Sequence, residues 1–223
     1  MMRRLLLVVL IVLALAQGYA AVQWTRYALL FTSARRLDDA GKHADALGRM
    51  ERAVLVRACS ATARAYVGDM GQQVLDDPRR TLSADDERAI LDRAWAGYAG
   101  AVTVTPLDAW SWSGLAEIAI REAQRRDRLG GVSFNVMEAR SSGVLDPWRA
   151  LAFGAAQLAV AISPSGYQEL DVLGAVYESA GDVARAADTY VRSARMMSAP
   201  SFHVWGSGRS FAGPIYDRLL AGL

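Results

Sequence analysis

The stretch from Leu170 to Tyr190, LDVLGAVYESAGDVARAADTY, decides the fold. Its first half repeats apolar or small side chains every three or four residues, which places them on one face of a helix. Gly181-Asp182 then interrupts that helix, because glycine favours a helix end and aspartate can cap the next helix. Ala186 and Tyr190 give the second helix a small and a large side chain on one face. The stretch therefore predicts a hairpin of two packed helices.

The pattern of the second helix recurs along the chain. Each copy has three residues spaced by four and then three positions, and the copies are Ala46-Met50-Ala53, Ala94-Tyr98-Ala101, Ala152-Ala156-Ala159 and Ala186-Tyr190-Ser193. Pro106 and Pro164 follow the second and third copies, and proline ends a helix. We therefore predict four helix pairs.

First-helix patterns support the same division. Trp112-x2-Leu115-Ala116 lies after Pro106 as Leu170-x2-Leu173-Gly174 lies after Pro164. In the second pair the corresponding pattern fits poorly around Val67 to Gly71. Gly41-Lys42 precedes Ala46 as Gly181-Asp182 precedes Ala186, which predicts equivalent turns in the first and last pairs.

These motifs resemble the tetratricopeptide repeat (TPR) signature, W-x2-L-G-x2-Y followed by A-x3-F, whose period is 34 residues. Ala152 and Ala186 are separated by that period, 34 residues. The resemblance implies an all-α fold, a TPR-like superhelix of antiparallel helix pairs over residues 27–200. Wider spacings between the other copies predict insertions near residues 76–83 and 128–146. Residues 201–223 are then expected to form a C-terminal cap or tail.

The N-terminus predicts a membrane segment. Two arginines precede an apolar run from Leu5 to Val22. Either a signal peptide or a transmembrane anchor fits this run. Trp24 and Tyr27 are typical of a membrane interface, so we favour an anchor over residues 1–26. The arginines then orient a single-pass protein in the inner membrane with the repeats in the periplasm.

The composition of the chain limits the kinds of ligand and reaction that can be expected. The chain has 25 basic and 23 acidic residues, a balance that predicts no attraction to nucleic acid. One cysteine, Cys59, excludes an intramolecular disulfide, and two histidines, His43 and His203, do not form a zinc motif. Acidic pairs such as Asp85-Asp86 lie at predicted helix ends, where capping explains them. We therefore expect no catalytic residues, no metal and no cofactor.

The resemblance also predicts where a partner protein binds. First helices line the concave groove of such arrays, and the groove residues it implies are Trp110, Ser113, Glu117, Arg121, Gln168, Asp171 and Glu178. An aromatic side chain beside mixed charges suits peptide capture. A second contact is predicted in the inserted loop, through Phe134, Val136 and Met137.

The leading hypothesis is a membrane-anchored, non-catalytic TPR scaffold in a cell-envelope assembly, such as polysaccharide export, secretion, a pilus or cofactor maturation. An alternative is a structural accessory subunit of a large membrane complex. A glycan-active enzyme is the third class, and the lack of convergent acid–base residues argues against it.

Overall fold

The structure is a computed structural model that describes residues 2–129 and 146–197, with side chains over 9–129 and 146–196. Eight helices occupy these ranges: α1 (Met2–Asp39), α2 (His43–Val56), α3 (Ala61–Asp76), α4 (Ala84–Val104), α5 (Ala109–Arg128), α6 (Pro147–Ile162), α7 (Tyr167–Ser179) and α8 (Val183–Met197). The described chain is all-α, as predicted.

The helices form two compact units, divided between Val104 and Thr105. In the first unit α1 packs on α2, α2 on α3, and α3 on α4. In the second, α5 packs on α6 and α7, α6 on α7, and α7 on α8. Each odd-numbered helix thus pairs with the helix that follows it, which confirms the predicted helix pairs.

The recurring alanine pattern forms the inner face of every second helix. All twelve of its residues are exposed by 1% or less: Ala46, Met50, Ala53, Ala94, Tyr98, Ala101, Ala152, Ala156, Ala159, Ala186, Tyr190 and Ser193. Burial of apolar surface on this scale is the main favourable contribution to folding. The spacing read from the sequence therefore corresponds to the core.

In each helix pair, the size of the central residue of the recurring pattern is matched to the size of the residue that faces it on the first helix. A Cβ added to Gly174 would lie 2.5 Å from Tyr190 Cε1, and a Cβ added to Gly68 would lie 2.5 Å from the Tyr98 ring. The third pair has alanine at both positions, Ala116 and Ala156. Ala34, twelve residues before Ala46 as Gly174 is before Ala186, faces the core of the first pair with Met50.

Gly41 and Gly181 end α1 and α7 in the same way. Both have φ of 71°, in the left-handed region that glycine adopts without strain. Each turn carries the two backbone hydrogen bonds of a Schellman motif: Lys42 N to Leu37 O (2.8 Å) and Gly41 N to Asp38 O (2.8 Å), and Asp182 N to Tyr177 O (2.8 Å) and Gly181 N to Glu178 O (2.9 Å). The equivalence predicted for the two turns is confirmed.

Connections between successive pairs are uniform, whereas those within pairs vary. Residues 57–60, 105–108 and 163–166 each close with one turn hydrogen bond, of 3.1, 3.2 and 3.0 Å. Within the second pair, residues 77–83 join α3 to α4, and Ser83 Oγ caps α4 by accepting from Asp86 N at 3.1 Å. Most of the predicted insertion over 128–146 lies outside the described residues, as does the predicted tail over 201–223.

The membrane prediction is overturned. Across the described residues, no helix joins sufficient length to sufficient hydropathy for a bilayer crossing. From Val9 onward, Gln17, Gln23 and Arg26 interrupt the apolar side chains of α1 and lower its mean hydropathy. The prediction of a single-pass anchor is therefore wrong, and so are the inner-membrane location and the periplasmic placement that followed from it.

Trp24 and Tyr27 contact protein instead of forming an interfacial belt. The Arg57 guanidinium lies 4.2 Å from the Trp24 ring centroid and 5.6 Å from that of Tyr27, a cation–π arrangement. The Tyr27 hydroxyl is 2.9 Å from Ser60 Oγ, and Ser60 caps α3 by accepting from Ala63 N. These contacts fasten α1 to the connection between α2 and α3.

Candidate partner-binding face of α5 and α7

The face begins where α5 and α7 pack against each other as the first helices of successive pairs. Trp112, half-buried at the start of α5, fixes that helix by donating from Nε1 to Pro106 O at 2.8 Å. Ser193 of α8 holds the start of α7, since its Oγ donates to Tyr167 O at 3.1 Å. A hydrogen bond between a side chain and a backbone carbonyl therefore holds each helix start.

Arg149 fixes the other end of the face. It is 8% exposed and bonds to Asp127 of α5 through Nη2 at 2.6 Å. Its Nε donates to Ser179 O, at the end of α7, at 3.4 Å. Asp146, which caps α6, lies 3.9 Å from the same guanidinium. One buried cation thus joins the ends of three helices.

A second charged cluster extends along the end of α5. Glu122 accepts from Arg125 at 2.7 Å and from Arg126 at 2.8 Å. These hydrogen bonds, led by Arg125, hold the pKa of Glu122 below its ordinary value. The Arg126 guanidinium also lies 5.4 Å from the Trp148 ring centroid. The pairing keeps a buried carboxylate ionised beside the predicted face.

The seven predicted groove residues lie on this pair of helices but differ in accessibility. Trp110 is 40% exposed, and Gln168 is exposed at the start of α7. Glu117 and Arg121 are half-buried on α5. The four comprise an aromatic ring, an amide and two opposite charges. Their role in binding stays a prediction.

Ser113 and Asp171 lie below the surface. They are 5% and 4% exposed, and neither Ser113 Oγ nor Asp171 Oδ1 has a hydrogen-bond partner among the described residues. Burial raises the pKa of Asp171 to about 6, and the neighbouring Ser193 hydroxyl acts in the opposite direction. An incompletely paired buried polar atom costs stability, so this part of the face opposes folding.

Glu178 is already engaged within its own helix pair. It accepts a hydrogen bond from the Tyr190 hydroxyl at 3.0 Å, as Asp69 accepts from Tyr98 at 2.6 Å in the second pair. The family resemblance placed Glu178 in the groove, whereas this contact gives it a role in closing the hairpin.

Glu169, half-buried at the start of α7, was not singled out in the sequence. Burial, with a smaller contribution from the Asp108 carboxylate, raises its pKa. Asp108 precedes α5 and Glu169 lies in the first turn of α7, so the two carboxylates converge where the helices begin.

One predicted contact, that of the inserted loop, is not tested by the structure. Phe134, Val136 and Met137 fall outside the described residues. Over residues 2–129 and 146–197, no group of His, Cys, Asp or Glu side chains is arranged to hold a metal ion. The described residues of α5 and α7 include an aromatic ring and charges of both signs, and their part in recognition stays a prediction.

Comparisons with known proteins bear on the fold. No protein-family model matches the chain, and no curated protein matches its sequence. A crystal structure of MamA protein is similar with a TM-score of 0.52 and 15% identity, over 81% of this chain and 79% of that one. MamA 41-end from Desulfovibrio magneticus RS-1 has a TM-score of 0.53 and 11% identity, over 77% of this chain and 75% of that one.

A further similar structure is TTC0263, a thermophilic TPR protein in Thermus thermophilus. It has a TM-score of 0.38 and 15% identity, over 76% of this chain and 91% of that one. The likeness to MamA concerns the fold alone, and the repeat itself is identified by the helix pairs, the buried alanine pattern and the matched glycine and tyrosine contacts. This chain has a TPR-like fold.

Proposed function

We propose that this protein is a non-catalytic scaffold that binds a segment of a partner protein on the face formed by α5 and α7. The observation that carries the proposal is that the exposed Trp110 shares one helix with the half-buried Glu117 and Arg121. That helix, α5, packs against α7, the first helix of the next pair. Aromatic and arginine side chains dominate the binding energy of many protein interfaces.

The chemistry of the face favours recognition over catalysis. Its buried acid, Asp171, is only 4% exposed among packed helices. Glu122 is paired with two arginines, and Glu178 accepts a hydrogen bond from Tyr190. The helix ends are held by Arg149, which gives a preorganised surface and lowers the entropy lost on binding.

The partner is proposed to be a protein of a multi-component assembly, and the cell-envelope machineries suggested by the sequence are a source of candidates. A permanent accessory subunit is the second function, favoured by the exposed apolar side chains of α1, among them Leu15 at 69% and Val22 at 57%. Apolar surface of this extent commonly marks a protein contact.

The test compares capture of partners by the full chain with capture by Trp110→Ala and Arg121→Ala variants, quantified by mass spectrometry. Loss of the same proteins in both variants, with unchanged helical circular dichroism, is expected. Arg88→Ala, an exposed arginine on α4, is the matched control. Unchanged capture by both variants would rule out the α5–α7 face. Fixed stoichiometry through purification would favour the permanent subunit.

A further inference from the structure

A second surface, independent of the α5–α7 face, lies between α1 and α2. A groove of about 500 Å³ is lined by six residues: Arg26, Leu29, Leu30, Arg52, Leu55 and Val56. Leu29 is 67% exposed and Leu55 is 82% exposed. The packing of the helices does not bury these two leucines. They form the apolar floor of the groove.

The two walls of the groove carry the same sequence pattern. Arg26-x2-Leu29-Leu30 lies on α1, and Arg52-x2-Leu55-Val56 lies on α2. Spacings of three and four place each triplet on one helix face. Because the short turn from Ala40 to Lys42 joins α1 to α2, the two helices run in opposite directions. The arginines therefore lie at diagonally opposite ends of the apolar floor.

The charges on the rim are of one sign. None of the six lining residues is acidic. Across 2–129 and 146–197, neither Arg26 nor Arg52 has a carboxylate within ion-pair distance, and Arg52 Nε donates to Gly48 O at 3.2 Å. The neighbouring Glu51 is instead bound by Arg93 at 2.6 Å. Among the described side chains, the groove thus has a positive charge at each end that no carboxylate pairs.

From this complementarity we propose that the groove binds an amphipathic helix of a partner protein, whose leucine-type stripe is flanked at both ends by Asp or Glu. The apolar stripe covers Leu29 and Leu55, and the flanking carboxylates pair with Arg26 and Arg52. An apolar helix face in a groove, with charges fixing its position, is a general mode of peptide recognition. Charges at the rim set orientation and selectivity more than total affinity.

The test uses two designed helical peptides with identical leucine stripes, one flanked by Glu and one by Lys. Cys59, exposed and the single cysteine of the chain, is three residues beyond Val56 and accepts an environment-sensitive fluorophore. The Glu-flanked peptide is expected to bind the full chain at least about tenfold more tightly than the Lys-flanked one. Equal affinities would overturn the proposal.

Variants locate the binding. Leu55→Gln is expected to weaken binding about tenfold, whereas Leu107→Gln, at a 79% exposed leucine outside the groove, leaves it unchanged. Arg26→Glu with Arg52→Glu is expected to reverse the preference towards the Lys-flanked peptide, and Arg192→Glu to have no effect. Retained preference in the double variant would overturn the proposal.

Two other occupants give distinct results. If the groove binds a second copy of the chain, analytical ultracentrifugation shows a concentration-dependent dimer that Leu55→Gln dissociates. If it binds lipid, phosphatidylglycerol vesicles retain the chain and Leu55→Gln releases it. Either result would overturn the proposal, and both leave the α5–α7 face untouched, since Trp110 and Arg121 are unchanged.

Discussion

The Tyr98 ring covers the backbone of Gly68 so closely that a Cβ on Gly68 would come within 2.5 Å of three ring carbons. The hydroxyl of the same tyrosine donates to Asp69, the next residue of α3, at 2.6 Å. A single side chain on the second helix therefore sets both the distance and the polar contact between α3 and α4.

Gly68→Ala is expected to destabilise the protein by about 2 kcal/mol, because the buried ring cannot move away without repacking. The double variant Gly68→Ala with Tyr98→Met gives the second pair the alanine and methionine of the first pair. Adding Gly68→Ala to Tyr98→Met should therefore cost less than about 0.5 kcal/mol. Urea unfolding of the four proteins gives the coupling energy. Additive effects would show that the ring and the glycine are not matched.

Gly48→Ala is the control for that series. The glycine is inside α2, and an added Cβ meets nothing within 4 Å. Alanine is the better helix former, so this variant should be more stable by about 0.5–1 kcal/mol.

Gly181→Ala is expected to cost about 1 kcal/mol for a different reason, since φ of 71° is unfavourable for any L side chain. Gly41→Ala should cost a similar amount, because its turn has the same φ and the same two hydrogen bonds. Thermal unfolding of each variant measures the effect. A markedly smaller loss at either site would mean that the turn relaxes to another conformation.

Asp171→Asn is expected to stabilise the protein by about 1–2 kcal/mol at pH 7.5. The amide has nearly the shape of the carboxyl group that it replaces, but it does not carry a charge into the core. Burial raises the pKa of Asp171 from 3.8 to about 6. Between those values the folded state binds more protons than the unfolded state, so wild-type stability falls as pH rises. The advantage of the variant should therefore disappear near pH 4.

Ser113→Ala measures how much stability a buried polar group costs when that group does not ionise. The Ser113 hydroxyl is buried without a hydrogen-bond partner among the described residues, so its removal should stabilise by about 1 kcal/mol at both pH values. Denaturant unfolding of both variants at pH 4 and 7.5 distinguishes the two effects. A pH-independent gain for Asp171→Asn would contradict the raised pKa.

Arg149→Gln is expected to destabilise the second unit by about 2–3 kcal/mol, since it leaves Asp127 and the Ser179 carbonyl without their buried partner. Arg88→Gln, whose pair with Asp92 is 3.9 Å long and exposed, should change stability by less than about 0.5 kcal/mol. Guanidinium unfolding monitored by circular dichroism compares them. Equal effects would argue that Arg149 does not join the helix ends.

The second helices could be predicted from sequence because alanine and bulky residues recur at fixed spacing wherever two helices approach closely. The first helix of the second pair was harder to identify. Residues 77–83 separate Gly68 from Ala94 by more than the usual distance, so the glycine that meets Tyr98 did not stand at its expected position.

The candidate face was predicted less completely. The family resemblance implied that Trp110, Ser113 and Asp171 line a groove, but a resemblance does not report burial, and two of the three are buried. Trp24 was misread for a related reason: an aromatic residue after an apolar run is typical of a membrane interface, whereas its partner here, Arg57, is remote in sequence.

The contrast between uniform and variable connections has a practical consequence. Residues 57–60 and 163–166 hold a fixed turn, whereas the α3–α4 and α5–α6 links differ in length. A foreign peptide grafted into a link inside a helix pair is expected to leave the packing of α2 on α3 and of α6 on α7 intact. The chain can thus be engineered to display new epitopes at 77–83, while lengthening either of the two short turns would loosen the helices that it joins.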